Sequence, residues 1–441
     1  MTDRASLLIK HGTIVSQRGI EQADLAITDG KITAIGALSG LEADEVIDAT
    51  GLHVLPGVID SQVHFREPGL EHKEDLATGT AAAALGGVTA IFEMPNTKPL
   101  TLTAADMADK VRRGREKAWT DFAFFIGAAA ENVENLPFLE LQEGVAGVKL
   151  FMGSSTGSLL VDSDTDIRRV LEAGFRRVAI HAEDEPRLIE RKHLAVDTPH
   201  NHPVWRDDET ALRATRRVLK IARETGRRIQ VLHVTTEEEM ALLAEHKDIA
   251  TVEATPQHLT LFAPDCYDRL GTYVQMNPPI RGKRHHDAIW RALKQGVVDV
   301  IGSDHAPHTR EEKARPYPES PSGMPGVQTL LPLMLNHCNN GKLSLLHLME
   351  LTSAGPARNY GVAGKGRLSL GYDGDVTLVD LGRRQEITSD WLASKCGWSP
   401  FEGETVTGWP VGTIIRGRIV MRDGELLGKA GGEPVRFQEC L

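Results

Sequence analysis

Five short apolar runs in the chain end in a residue that can bind a metal ion or move a proton. They carry Gln62 and His64 in GVIDSQVHFREPG, Lys149 in GVKLF, His181 in AIHAED, His233 in VLHVTT and Asp304 in IGSDHAPH. Gln62 and His64 are two apart, so on a strand both side chains point to one face. A lone histidine in such a place is more often a satisfied structural residue than a ligand. Three histidines and a carboxylate ending four separate runs point instead to zinc or a related divalent cation, which imidazole and carboxylate donors suit. Such a cation lowers the pKa of bound water to ~7 and polarises a carbonyl, while Asp304 can accept a proton and return it to a leaving nitrogen. The chemistry implied is amide hydrolysis, or its reverse.

Lys149 stands apart, because an ammonium group cannot ligate a cation. Either it reaches from a strand end to solvent or an acidic partner, or it is a neutral amine that takes up CO₂ and becomes an anionic carbamate able to bridge two metals. Four cysteines, Cys266, Cys338, Cys396 and Cys440, show no C-x-x-C pair and read as isolated thiols rather than disulfides or thiolate ligands.

These residues need elements that bring them together. Eight apolar runs are followed by longer stretches of helical character: Leu55 to His64, Val88 to Pro95, Phe122 to Ile126, Gly147 to Met152, Arg177 to Glu183, Ile229 to Thr235, Ile249 to Thr255 and Val297 to Asp304. The pattern predicts an α/β chain forming a (β/α)₈ TIM barrel, with the chemistry at the carboxyl ends of its strands. A doubly wound open sheet is the alternative. Asp207 to Glu224 reads as one covering helix. Both termini differ, with short alternating segments broken by Asp-Gly, so a small β-sandwich domain built from residues 1–54 and 365–441 is expected beside a barrel of 55–364.

The chain has 441 residues and a formal charge of −11, too acidic for a nucleic-acid binder that relies on a positive face. Its apolar runs fall short of the ~20 residues that span a bilayer, and its start lacks the layout of a signal peptide, so a cytoplasmic enzyme is expected.

The motifs GVIDSQVHFREPG, HKED, EMPNT, GVKLF, AIHAED, VLHVTT, NPPIR and SDHAPHTREEK together resemble the dihydroorotase family of the amidohydrolase superfamily, over nearly the whole chain. The resemblance implies His64, Lys149 (carbamylated), His181, His233 and Asp304 as ligands of one or two Zn²⁺ ions, with Asp304 also catalytic. It departs at Gln62, which stands where the family's H-x-H motif has its first histidine; an amide offers a weaker donor, so the outer metal position is the one in question. Arg66, Asn96 and His308 match the residues that hold the substrate's carboxylate, and Asn277 matches a contact to the pyrimidine ring. Taken singly, Arg66 reads as a surface partner of Glu67 or Glu71, and Asn96 as a turn residue.

The implied reaction interconverts L-dihydroorotate and N-carbamoyl-L-aspartate in pyrimidine biosynthesis, and the resemblance also implies a homodimer. Two other readings stand beside it: a hydantoinase or allantoinase, and a silent subunit supporting aspartate carbamoyltransferase. The Pro-rich stretch 309–326 reads either as a lid or as a surface excursion.

Overall fold

The structure is a computed structural model and describes residues 4–155 and 159–438. Eight parallel strands follow one another in sequence order, from Val58–Val63 through Val88–Glu93, Asp121–Gly127, Val145–Phe151, Val178–His181, Ile229–Val231 and Ala250–Ala254 to Val300–Ile301. A parallel bridge between Val63 and His305 joins last to first, with His64 N donating to His305 O at 2.7 Å, so the sheet is a closed barrel. This decides against the open sheet.

The strands read as apolar runs because both faces are covered. Outside, their side chains pack against the helices, among them Asp208–Thr225, whose buried face repeats at helical spacing and whose start is capped by the Asp207 carboxylate accepting from Thr210 N. Inside, Ile59, Ala90, Phe92, Ala123, Phe125, Ala146, Ala179 and Leu232 form a separate apolar cluster, closed by Tyr360 against Phe92 and Phe125. Above it Glu253 accepts from Ser61 Oγ and Gln230 Nε2, each at 3.3 Å. The donors expected from the sequence lie beyond this polar layer, at the strands' carboxyl ends.

The terminal segments form one nine-stranded sheet. Most pairings are antiparallel, as the Asp-Gly turns foretell, but Arg4–Ser16 also pairs in parallel with Glu42–Asp48 and with His53–Pro56. His53–Pro56 also pairs with Val376–Glu386, so the chain passes from this sheet to the barrel at Gly57. No helix among the described residues is long and apolar enough to cross a membrane. Cys266 and Cys396 are buried, Cys338 is partly so, and burial pushes their thiols up to about 12, 11 and 12 respectively; Cys440 lies outside the described residues.

Candidate metal centre and substrate pocket

Gln62 and His64 leave the first strand and converge on the same atom from the eighth. Gln62 Nε2 donates to Asp304 Oδ1 at 3.0 Å, and His64 Nε2 lies 3.2 Å from that oxygen. On its other side His64 donates from Nδ1 to Asn96 Oδ1 at 2.8 Å, which leaves Nε2 with a lone pair facing the carboxylate. Two acceptors facing one another are an arrangement that a cation resolves.

The fifth and sixth strands supply a second group. His181 Nε2 donates to Glu183 Oε2 at 2.9 Å, and Arg206 holds that carboxylate at 3.2 Å. Glu183 is buried, yet Arg206 and His181 bring its pKa down to about 2. The tautomer of His181 is thereby set, and its Nδ1 lone pair faces His233 Nε2 at 3.1 Å. His233 Nδ1 is buried without a partner, as is Lys149 Nζ. Burial brings the Lys149 ammonium down to about 7 against the opposing pull of Asp304 and Glu253, so the neutral amine is accessible near neutrality. A buried amine and an imidazole nitrogen without hydrogen-bond partners, next to two imidazoles that meet only each other, fit a metal-binding set.

The loop that follows His64 places a buried cation, Arg66, beside this set. Arg66 is 2% exposed, and no carboxylate of the described residues lies within 4.0 Å of it. Its Nε donates to Pro307 O at 3.2 Å and its Nη2 lies 3.4 Å from His308 Nε2. Glu67, the expected surface partner, accepts from Arg113 and Lys117 instead. Burial lowers the guanidinium to about 10, which leaves it charged. Lys73 Nζ donates to His308 Nδ1 at 3.1 Å and pairs with Glu312 at 3.1 Å, so the imidazole carries its proton on Nε2 and gives it to Ser322 O at 3.0 Å. Burial holds His308 at about 3, and it is neutral at ordinary pH.

The loops carrying Arg66 and Asn96 are tied by Lys98 N donating to Pro68 O, and they touch so closely that a Cβ on Gly69, at φ +92°, would lie 1.8 Å from Lys98 O. Asn277 lines a cavity of about 540 Å³ together with Arg206, Trp205 and Ser322. Its side-chain oxygen is taken by His202 Nε2 and Arg206 Nε, leaving its amide N–H groups for a ligand. Pro318–Ser322 form one wall of this cavity, and the stretch is anchored by buried Lys313, which donates to Gln275 O and Pro321 O at 3.1 and 2.8 Å.

Arg66, His233 and Asp304 share a further property: their φ angles are +66°, +38° and +44°. Left-handed backbone at non-glycine residues costs roughly 1–3 kcal/mol and survives where surrounding structure over-determines it. Sequence reasoning did not single out Glu183, Lys73 or Arg206. Glu183 had a signal, since it lies two residues after His181 and therefore on the same face; Lys73 stands in the HKED motif; Arg206 had none. A separate trio, Asp208, Glu238 and His285, brings donors together at the first turns of three helices, but Arg284 already supplies its positive charge at 3.4 Å from Asp208 and 2.6 Å from Glu238.

An amidohydrolase family profile matches residues 53–420. The chain belongs to the amidohydrolase family. A curated dihydroorotase of Methanosarcina mazei is 36% identical, with 96% of each chain covered, and one of Halobacterium salinarum is 36% identical, with 94% of this chain and 96% of the relative covered. An L-hydantoinase of Paenarthrobacter aurescens is 32% identical, again with 96% of each covered. Among solved structures, the L-hydantoinase (dihydropyrimidinase) of Arthrobacter aurescens superposes with a TM-score of 0.92 at 30% identity, covering 98% of this chain and 99% of that one. As an amidohydrolase the protein is an enzyme that opens carbon–nitrogen bonds of cyclic amides.

Proposed function

We propose that this amidohydrolase is a zinc-dependent dihydroorotase, interconverting L-dihydroorotate and N-carbamoyl-L-aspartate in pyrimidine synthesis. The observation that carries the reading is Arg66, a buried guanidinium with no carboxylate partner among the described residues. A buried charge without a counter-charge is costly, and an anionic ligand relieves that cost. The carboxylate of dihydroorotate supplies such a charge, whereas a hydantoin ring without one does not. Curated dihydroorotases at about 35% identity over nearly the full length support the same choice.

In this reading Arg66, Asn96 and His308 hold the carboxylate and Asn277 contacts the ring. Lys149 in its carbamylated form, His181 and His233 hold the zinc, with His64 and Asp304 at the adjoining position. Bound there, the cation supplies Lewis-acid polarisation of the scissile carbonyl and lowers the pKa of water. Asp304 accepts the proton of the attacking water as the new carbon–oxygen bond forms, then returns it to the ring nitrogen as the carbon–nitrogen bond breaks. Arg206 keeps Glu183 charged, Glu183 keeps the His181 tautomer, and Lys73 keeps His308 neutral with its proton on Nε2. The division at 54/55 and 364/365, the homodimer and the cytoplasmic location belong to the same reading.

One zinc-loaded preparation should hydrolyse dihydroorotate far faster than hydantoin or allantoin. Faster turnover of hydantoin would replace this reading with the hydantoinase one, and no turnover of any of the three would support a silent subunit.

A further inference from the structure

The donors fall into two sets that differ in what remains unsatisfied. In one, His181 Nδ1 faces His233 Nε2 at 3.1 Å and Lys149 Nζ has no hydrogen-bond partner. The two imidazoles meet only each other and the amine only the face of the Phe151 ring, so no carboxylate or amide holds these atoms. In the other, the Asp304 oxygen that faces His64 is already taken by the Gln62 N–H at 3.0 Å. Turning the amide over to offer its oxygen would cost this hydrogen bond and would supply only an amide oxygen, a weaker ligand than imidazole. Gln62 Oε1 points away from Asp304 and is buried without a partner.

From this we infer that the chain holds one divalent cation tightly, at the His181, His233 and Lys149 end, and that Gln62 prevents the His64 and Asp304 end from binding a second with comparable affinity. Gln62 does two things at once. It removes a ligand from the second position, and its N–H gives Asp304 a positive contact that a second cation would otherwise provide. Asp304 is thus oriented by a hydrogen bond on one side and left free to exchange a proton on the other. The inference rests on the metal-dependent reading of the site but not on the identity of the substrate.

The test counts metal without substrate. Metal-stripped wild type and Gln62→His, each given bicarbonate, are dialysed against graded free zinc, and zinc per folded chain is measured. The same proteins loaded with Mn²⁺ are examined by electron paramagnetic resonance, where two adjacent ions couple and a single ion does not. The wild type should hold about one equivalent, with a second binding roughly 10–100-fold more weakly or worse, and an uncoupled manganese signal. Gln62→His should hold about two with a coupled signal. Two equivalents of equal affinity in the wild type would overturn the inference, and so would a folded Gln62→His that still holds one. If that variant fails to fold, the wild-type count and signal decide alone. Zinc binding in a protein inactive toward dihydroorotate would remove the substrate assignment and leave this inference standing.

Discussion

Two buried lysines in this molecule are treated in opposite ways. Lys365, between the barrel and the terminal sheet, lies 2.7 Å from Asp121, 3.0 Å from Asp373 and 2.6 Å from Asp375. Burial alone would lower its pKa, but the three carboxylates reverse the effect and raise it. Lys149, at the barrel mouth, has no hydrogen-bond partner, and burial takes it down to about 7. Both side chains lack solvent, so burial does not distinguish them. The counter-charge does, and it separates a lysine kept charged among carboxylates from one whose ammonium is lowered to about 7.

The sharpest break of the comparison exchanges each lysine for methionine. Lys149→Met should lose bound zinc and at least ~10²-fold in turnover, more than the loss of an outer partner costs a metal site. Its melting temperature in the absence of metal should hold or rise, since an unpaired buried amine is removed. A stable, active Lys149→Met enzyme with full zinc content would refute the assignment.

Lys365→Met should do the reverse, costing ~3–5 kcal/mol of stability by leaving buried Asp375 without its cation and taking one of the cations from Asp121, which keeps Arg416, and from Asp373, which keeps Lys31, while the folded fraction keeps its turnover. The sign of its pH dependence follows from Asp121 and Asp373. Burial opposes their ionisation, but Lys365 holds both below the ordinary carboxylate value, so in the wild type they add stability above that range and lose it as pH falls. Without Lys365 only Arg416 at Asp121 and Lys31 at Asp373 favour the charged forms, so the variant gains less stability than the wild type as pH rises through the carboxylate range. The gap between variant and wild type should therefore be widest at neutral pH and narrow toward mild acid, as followed by denaturant unfolding at several pH values.

Smaller effects extend the contrast to the anion pocket. Arg66→Met removes a charge-assisted contact worth ~1.5–3 kcal/mol, so kcat/KM for dihydroorotate should fall by about one to two orders of magnitude, with little change for an uncharged cyclic amide. Equal losses on both substrates would mean that Arg66 only supports the fold. Lys73→Met should cost less, ~0.5–1.5 kcal/mol, because it acts through the His308 tautomer. The loss should fall mainly in KM, and a fall confined to kcat would count against that role.

Much of this was legible in the sequence because strand ends advertise themselves. A parallel strand covered on both faces is a continuous apolar run, so a histidine or aspartate at its end is conspicuous, and His64, His181, His233 and Asp304 stand out in this way. The parallel pairings of Arg4–Ser16 were not foreseen, since Asp-Gly turns report only the antiparallel hairpins they close. Glu183 and Lys73 were missed for another reason. Each acts on a histidine rather than on the reaction, and a carboxylate or lysine in a polar segment looks the same whether it faces water or an imidazole. The burial of Arg66 was hidden because Glu67 and Glu71 beside it offered a plausible surface pairing, which the positive φ at Arg66 turns it away from.

The seam where the barrel closes has a consequence for biogenesis. Gln62 and Asp304 meet across 242 residues of sequence, next to the His64 to His305 hydrogen bond that joins the last strand to the first. Contacts of such separation form late, because the loop entropy must be met before they contribute. On the proposed reading, a growing chain therefore carries Lys149, His181 and His233 before it carries Asp304, and the proton acceptor is the last of these groups to be made.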